Sequence, residues 1–205
     1  MKTLLEQDFV TYYNKNKESP VVANVSVRAT QADYFELKDD ESLVYSKGQG
    51  VAKYDNPSRC NVSVINYEDF VKSLPNRVKN AVAVGRDICD LIVYSNEHFL
   101  LNELTDTKPD YIPKKRIKAR SQLLQTLQII LKVQSINQFA NTHPVKQCCF
   151  FSQQPQTKLP DINVTVAFNR QNAYSHGFKT VNRDIENYGF EFWEFYATQT
   201  YLLSV

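Results

Sequence analysis

The chain has 205 residues and a net charge of only +2, which fits one domain or one domain with a substantial elaboration. So small a net charge excludes a global field that would attract nucleic acid, and any basic site must therefore be local. The four cysteines form no CxxC pair, and no apolar run reaches the length of a signal peptide or a membrane span. We therefore expect reduced cysteines in a soluble, cytoplasmic protein that has no membrane partner.

Alternating and β-branched segments dominate the N-terminal third of the chain. A short amphipathic helix is predicted over residues 3 to 14, because leucine and aromatic residues recur there at helical spacing. Four strands are predicted after it: Val21–Thr30, Tyr34–Leu37, Leu43–Tyr45 and Val51–Tyr54. Acidic and glycine-containing turns separate these segments, so we interpret residues 1–65 as a β-rich elaboration.

The centre of the chain is predicted to alternate helices and strands. Asn66 is a helix-capping residue type and predicts a short helix over Tyr67–Leu74, which a proline ends. A strand at Ala81–Val84 and a hairpin at residues 88 to 105 follow. A helix, a strand and a hairpin in this order are the beginning of an α/β arrangement.

A long helix is predicted from Pro113 to about residue 141, because proline is favoured in a first helical turn. Its predicted buried stripe comprises Ile117, Leu124, Leu127 and Leu131, with Leu123 and Ile130 alongside. Two strands follow at Val145–Phe151 and Ile162–Phe168, and the extension 152–205 is rich in aromatic residues. In it, Phe190–Tyr196 is left open between helix and strand. These elements predict an α/β fold in a single domain, 1–205, with a mixed central sheet and flanking helices.

Two acidic residues on the predicted hairpin are the most informative feature of the sequence. Turn-prone residues 95 to 98 separate two apolar runs, so a short loop there sets Ile92 opposite Leu101 and Asp90 opposite Glu103. Side chains opposed in this way have Cβ atoms about 5 Å apart, and two like charges at that distance repel each other. A divalent cation between the two carboxylates would remove the repulsion.

Mg²⁺ or Mn²⁺ is the predicted cofactor, because hard cations take oxygen ligands and need only one or two protein carboxylates when a phosphate completes the shell. Asp90, Glu103 and the carbonyl of Leu104 make the predicted metal half-site, and Glu68 on the preceding helix is a further candidate ligand. The ordinary alternative is that Asp90 caps a strand end and Glu103 is a solvated edge residue.

A run of basic residues follows the hairpin and enters the first turns of the long helix. These side chains are predicted to bind nucleic acid: Lys108, Lys114, Lys115, Arg116, Lys118 and Arg120. Cations in a first turn oppose the helix dipole, but together with the free backbone N–H groups there they form an anion site. A metal on the scissile phosphate and cations on the flanking phosphates are what a nuclease needs. The alternative is a solvated surface without a partner.

These residues resemble the core of the PD-(D/E)xK nuclease-like superfamily. The matching segments are Asp90-Leu-Ile-Val-Tyr and Glu103-Leu-Thr105, and Gln122 on the next helix is similar to the glutamine of some members. The resemblance covers about residues 66–151 and implies a restriction-endonuclease-like core of helix, three strands, helix and strand. It also implies Mg²⁺-dependent phosphodiester cleavage, with Asp90, Glu103, Thr105 and Gln122 in the catalytic positions.

Two positions depart from the family pattern. Cys89 stands where proline is common, and Thr105 stands where the family has a lysine that steadies the attacking water and the transition-state charge. Some members supply this lysine from another element. The candidates considered in this sequence are Lys108, Lys114, Lys118, Lys79 and Lys53. Without such a lysine, the resemblance implies binding without cleavage.

Two functions are therefore predicted. The first is a Mg²⁺-dependent nuclease of a restriction or phage-defence type, with DNA favoured over RNA as the substrate. The second is a non-catalytic binding subunit with the nuclease fold, which contacts nucleic acid, a protein partner or a second copy of itself through the basic turn or the aromatic tail. An unrelated α/β fold with a fortuitous acidic hairpin is the third interpretation.

Overall fold

The computed structural model describes residues 1–14, 21–38, 43–83, 87–153 and 176–204. They fold into a mixed α/β structure with a seven-stranded mixed central sheet and flanking helices. The described strands are β1 Arg28–Thr30, β2 Tyr34–Leu37, β3 Leu43–Val44, β4 Ala52–Asp55, β5 Val62–Asn66, β6 Leu91–Tyr94, β7 His98–Thr105, β8 Val145–Ser152, β9 Phe178–Thr180, β10 Glu191–Tyr196 and β11 Tyr201–Leu202. The described helices are α1 Val10–Tyr13, which continues a π-helical segment Leu4–Phe9, α2 Tyr67–Ser73, α3 Asn76–Ala83, α4 Ile112–Ile130, which follows a 3₁₀ turn Pro109–Tyr111, α5 Gln134–Asn141 and α6 Arg183–Glu186.

The central sheet has the strand order β1-β5-β6-β7-β8-β10-β9. Neighbouring strands are antiparallel from β1 to β7, then β7, β8 and β10 run parallel, and β9 is antiparallel to β10. Helices α4 and α5 connect β7 to β8, because a parallel pair needs a long crossover. Glu103 and Thr105 therefore lie at the carboxyl end of a central strand, just before the crossover begins.

A second sheet, in the order β11-β4-β2-β3, packs on one face of the central sheet. The sequence pattern of this region also predicts a β-meander, and this prediction is wrong: β2 lies between β3 and β4, which do not pair with each other, and β1 joins the central sheet. Strand β11 from the far end of the chain pairs parallel with β4. The core between the sheets joins Phe35 and Tyr54 of the second sheet to Leu100 and Phe151 of the central one. Strands β9, β10 and β11 lie in the predicted aromatic extension, so that extension supplies strands to both sheets; the single-domain assignment remains a prediction.

The helices cover the other face of the central sheet. Alternation along β7 sends Leu100 and Leu104 toward the second sheet, and Phe99 and Leu101 toward the helices. Glu103 follows the alternation of Phe99 and Leu101 and therefore lies on the helical face. Strand alternation in the sequence likewise predicts that Glu103 shares a face with Phe99 and Leu101.

The structure confirms the predicted cap at Asn66 and shows which element the segment Phe190–Tyr196 forms. Asn66 caps α2 as expected, because its side-chain oxygen accepts a hydrogen bond from the N–H of Asp69 at 2.8 Å. The aromatic segment Phe190–Tyr196, left open before, forms strand β10 from Glu191 onward.

Two predicted strands differ from the structure. Ala81–Val84 is helical as far as Ala83, because α3 buries Val78 and Val82 one turn apart on a single helix face. The antiparallel neighbour of β6 is instead β5, which precedes the helices. Of the predicted strand at 21–30, only the last three residues form β1. The predicted strand at 162–168 lies outside the described residues.

The predicted long helix is in fact two helices. Val133 adopts extended backbone (φ −82°, ψ 111°) between α4 and α5 and so interrupts the helix. The hydroxyl of Tyr13 donates to the carbonyl of Ile129 at 2.8 Å, which satisfies a carbonyl of the last turn that has no partner within the helix. No helix in the described ranges combines the length and the apolar character that a membrane crossing needs.

The buried stripe of α4 is rotated from its predicted position. Ile117, predicted to be buried, is 69% exposed, whereas the polar side chains of Gln122 and Thr126 are buried. Leu124 and Leu131 are only half-buried. The remaining members of the predicted stripe lie in the helical core, as expected: Leu123, Leu127 and Ile130.

Candidate functional site

The hairpin of β6 and β7 has the predicted register. Ile92 pairs with Leu101 and Tyr94 pairs with Phe99. The N–H of Ser95 donates to the carbonyl of His98 at 2.9 Å, so the loop contains only two residues. The loop length therefore fixes which side chains oppose each other along the ladder, as the sequence predicted.

The ladder ends in an irregular step at Asp90. Leu91 pairs with Asn102, yet the N–H of Asp90 also donates to the carbonyl of Asn102, at 3.1 Å. Two successive residues opposing one on the partner strand is the arrangement of a β-bulge. The side chain of Asp90 then accepts a hydrogen bond from the N–H of Leu104 at 2.7 Å. The Asp90 carboxylate thus occupies the position in which β6 would otherwise continue, next to Glu103.

The carbonyl of Leu104 points toward the same place. The carbonyl of Thr105 accepts a hydrogen bond from Gln153 on the β8 side of β7. Successive peptide groups of a strand point to opposite sides, so the N–H and carbonyl of Leu104 point toward the end of β6. Its N–H reaches the Asp90 carboxylate. Asp90, Glu103 and the Leu104 carbonyl are therefore neighbours at one end of the ladder.

Helix α2 begins against the same segment. The N–H groups of Tyr67 and Glu68 both donate to the carbonyl of Asp90, at 2.9 and 3.2 Å. One turn later, the amine of Lys72 forms an ion pair with the Glu68 carboxylate at 2.7 Å. The hydrogen bond to Glu68 raises the pKa of Lys72, and the negative charge of Asp90 contributes to the rise. Glu68 is thus held by Lys72, whose charge interacts with Asp90.

Lys72 was missed by the sequence reasoning, which considered five other lysines. The amine of Lys79 donates to the carbonyl of Lys72 at 3.3 Å, and that of Lys53 donates to the carbonyl of Ala197 in the second-sheet region. Lys118 pairs with Asp87, and the two remaining candidates are exposed: Lys108 and Lys114. The signal that could have pointed to Lys72 is its spacing from Glu68, because residues four apart lie on the same face of a helix.

Helix α4 fixes the segment that leads into Asp90. The side-chain amide of Gln122 donates to the carbonyl of Ile88 at 2.9 Å, and the hydroxyl of Thr126 accepts from the N–H of Cys89 at 2.9 Å. These bonds satisfy backbone groups that lie outside any strand. Gln122, predicted as a catalytic residue, therefore contacts the chain two residues before Asp90.

Helix α4 divides the predicted basic run into two groups. Arg116 and Arg120 bind Glu194 on β10, with contacts of 2.6 Å and 3.0 Å. Thr180 and Tyr196 also donate hydroxyl hydrogen bonds to Glu194. Burial raises the pKa of Glu194, but the bonds from Arg116, Tyr196 and Thr180 outweigh burial and lower it overall. The two arginines thus bind an internal carboxylate, whereas the lysines of the run lie at the surface: Lys108, Lys114, Lys115 and Lys118.

Glu194 and Glu103 belong to the same cross-strand row. Phe150 on β8 pairs with Glu103 on one side and with Glu194 on the other. Two strand spacings separate the glutamates by about 10 Å. Arg116 and Arg120 therefore lie against the β10 end of this row, and the Asp90–Glu103 pair lies at the other end.

Thr105, at the position where the sequence resemblance leads one to expect lysine, is mostly buried at the end of β7. It is 7% exposed and pairs with Ser152 on β8. Its hydroxyl accepts a long hydrogen bond, 3.4 Å, from the N–H of Thr107. Thr105 therefore shapes the turn into the crossover, and it brings no charge to the carboxylates.

The described residues contain no group of three or more His, Cys, Asp or Glu side chains that could hold a metal ion. The candidate site is accordingly a half-site of two carboxylates and a backbone carbonyl. Comparisons of this chain with protein-family models, with curated proteins and with solved structures find no match. What the site does must be argued from its own geometry.

Proposed function

We propose that this chain is a divalent-metal-dependent nuclease with a restriction-endonuclease-like core. The observation that carries the proposal is the arrangement of Asp90, Glu103 and the Leu104 carbonyl at one end of the β6–β7 ladder. The charge of Lys72 on α2 interacts with that of Asp90. The strand pattern also supports it: β5, β6 and β7 are antiparallel, and β8 joins parallel to β7 after a crossover helix. The expected order is helix, three strands, helix and strand; here the first of the three strands, β5, precedes α2, and α3 and α5 are additional helices.

The donor set fits Mg²⁺ or Mn²⁺. Asp90, Glu103 and the Leu104 carbonyl would hold the ion, because all three provide hard oxygen donors. The neighbouring Cys89 thiol does not compete, since burial raises its pKa well above the ordinary value and keeps it protonated. A bound ion would supply activation of a water and neutralisation of charge on a phosphodiester.

In this proposal, Lys72 provides the positive charge that the lysine of the resembled family provides. Glu68 holds its amine, and its pKa is raised, so the amine stays charged at neutral pH. A positioned ammonium group next to the carboxylates stabilises the negative charge that develops on a phosphate in the transition state. Glu68 then serves to orient Lys72, and Thr105 needs no catalytic role.

The surface lysines of α4 supply the contacts to the nucleic-acid backbone. Lys115 and Lys118 lie on the side of α4 that faces the segment before Asp90, as the pair between Lys118 and Asp87 indicates. Lys72 on α2 adds a further positive charge, which interacts with the charge of Asp90. Cations from two helices around a carboxylate pair would hold the flanking phosphates of a nucleic-acid strand that crosses the site.

A non-catalytic binding subunit is the second candidate function. Thr105 favours it, because an uncharged and mostly buried side chain stands where the family has lysine. In this alternative the lysines of α4 bind nucleic acid or an acidic partner, and the carboxylates serve only to end the ladder.

A cleavage assay on a mixed panel of DNA and RNA distinguishes the two. Wild type, Asp90→Asn, Glu103→Gln and the control Asp33→Asn are compared with Mg²⁺, with Mn²⁺ and with chelator. Asp33 is a suitable control because it pairs with Arg59 at the surface of the second-sheet region. We expect metal-dependent cleavage that falls roughly 100-fold or more in the two site variants and is unchanged in the control. Cleavage that survives both site substitutions would refute the proposal, and binding without cleavage in wild type would favour the binding subunit.

A further inference from the structure

One side of α4, together with the 3₁₀ turn that precedes it, carries a stripe from the candidate site to the surface. Tyr111, Lys115, Lys118 and Gln122 follow one another at spacings of four, three and four residues, which places them on one side of a helix. Gln122 donates to the carbonyl of Ile88, and Lys118 pairs with Asp87. The inner end of the stripe therefore lies against the chain that leads into Asp90.

The outer end of the stripe is an exposed aromatic side chain. Tyr111 is 55% exposed, although the next residue, Ile112, is only 3% exposed. The N–H of Tyr111 donates to the carbonyl of Lys108 at 3.0 Å, and its backbone is already helical (φ −94°, ψ −10°). The position of the Tyr111 ring is therefore set by a short 3₁₀ turn and by the burial of Ile112.

Three lysines surround Tyr111 in the sequence, although the residue directly before it is the exposed Asp110. Lys108 precedes it on the same turn, and Lys114 and Lys115 follow on the first turn of α4, all of them exposed. By helix geometry, Tyr111 lies roughly 16 Å along the axis from Gln122. An aromatic ring between phosphate-binding cations, at a short distance from a phosphodiester site, is the combination with which proteins bind unpaired nucleotides.

We propose that Tyr111 is a stacking platform for an unpaired base and that the site therefore takes single-stranded or frayed nucleic acid. Lys108, Lys114 and Lys115 hold the phosphates on either side of the stacked nucleotide. A base in a duplex is already stacked on its neighbours and presents only its edges in the grooves, so a continuous duplex gains nothing from the Tyr111 ring. This inference rests on the proposed function, and it adds to it the class of substrate.

Tyr45 provides a matched control. It is 59% exposed, similar to Tyr111, and directly follows β3 in the second sheet. That sheet packs on the face of the central sheet opposite the helices. Tyr45→Ala therefore shows the effect of losing an exposed tyrosine ring far from the basic turn, and Tyr111→Ala shows the effect of losing the ring beside it.

Fluorescence anisotropy with labelled single-stranded DNA, single-stranded RNA and blunt duplex DNA, in chelator, tests the inference without any need for cleavage. Wild type is compared with Tyr111→Ala, Tyr111→Phe and Tyr45→Ala. We expect Tyr111→Ala to weaken single-strand binding roughly 5- to 100-fold, and we expect wild-type binding in the other two variants. Duplex binding should not change in any of them. The two single-stranded probes show which sugar the site prefers.

The outcomes separate this inference from the proposed function. Unchanged single-strand binding in Tyr111→Ala, or an equal loss for the duplex, would overturn the stacking platform even if the wild type cleaves nucleic acid. A wild-type chain that binds none of the three probes would overturn the platform and the nucleic-acid function together. A wild type that binds single strands through Tyr111 but does not cleave them would support the platform and refute only the nuclease activity.

Discussion

The carboxylate of Asp90 accepts a hydrogen bond of 2.7 Å from the backbone N–H of Leu104. This contact is the strand-capping role that an ordinary structural interpretation assigns to Asp90. It does not prevent metal binding, because an ionised carboxylate has about four lone-pair sites. The cap even helps a metal site, since it fixes the Asp90 carboxylate beside Glu103 and the Leu104 carbonyl.

Two substitutions at Asp90 separate the cap from the charge. Asp90→Asn keeps an oxygen that accepts the Leu104 N–H, so we expect unfolding free energy to fall by no more than about 1 kcal/mol. Asp90→Ala removes the acceptor and should cost about 1.5–3 kcal/mol. Both should lose metal-dependent cleavage. Urea unfolding of the two variants measures the difference, and equal losses of stability would contradict the capping role.

The role of Lys72 is tested by Lys72→Met, with Lys79→Met as the control. The Glu68–Lys72 pair is exposed, with side-chain exposures of 42% and 57%, so its loss should change stability by less than about 1 kcal/mol. Cleavage at saturating substrate should fall roughly 100-fold. The control replaces the neighbouring lysine, whose amine donates to the carbonyl of Lys72, and should cleave normally. Equal activity in the two variants would exclude Lys72 from the site.

Glu194 makes the stability of the chain depend on pH. Its pKa is lowered in the folded state below the ordinary 4.5, so its contribution is complete above the unfolded pKa and is lost as the pH falls through the folded one. Glu194→Gln leaves Arg116 and Arg120 without their buried counter-charge and should cost about 3–5 kcal/mol at neutral pH. The loss relative to wild type should shrink as the pH falls from neutral to below the ordinary pKa of 4.5, because Glu194 of the wild type then becomes protonated. Thermal unfolding across this range is the measurement, and a pH-independent difference would contradict the assignment.

The two groups of basic residues should respond differently to substitution. Arg116→Ala breaks contacts to buried Glu194 and should lower stability by about 1–3 kcal/mol. Lys115→Ala should leave stability unchanged and reduce the slope of nucleic-acid affinity against salt by about 1. Unfolding and salt-titrated anisotropy of both variants provide the readouts. A binding defect in Arg116→Ala without loss of stability would assign the arginines to the nucleic-acid surface instead.

The parts of the site that local rules govern were predictable. A two-residue loop fixes the register of a hairpin, so the pairing of Ile92 with Leu101 followed from the sequence alone. The Asn66 cap followed from residue type in the same way. The mixed sheet was also predictable, because strands alternate with helical segments in the centre of the chain.

The rest depended on long-range contacts that no local pattern encodes. The stripe of α4 rotates because Gln122 and Thr126 are buried to bond the backbone of Ile88 and Cys89, and a hydrophobicity pattern assigns such polar residues to the surface. The sequence predicted that Arg116 binds nucleic acid. Its partner in the structure, Glu194, could not be foreseen, because it lies 78 residues away on a strand that the sequence left undefined. Lys72 was missed because an exposed lysine four residues after a glutamate is typical of an ordinary helix surface.

The most direct test of the central claim is calorimetric titration of the chain with Mn²⁺ in the absence of nucleic acid. Wild type is compared with Asp90→Asn, Glu103→Gln and the control Asp33→Asn. We predict one Mn²⁺ per wild-type and control chain, and at least about tenfold weaker binding in the two site variants. A wild type that binds no Mn²⁺, or site variants that bind it as tightly as wild type, would contradict a metal site at Asp90 and Glu103.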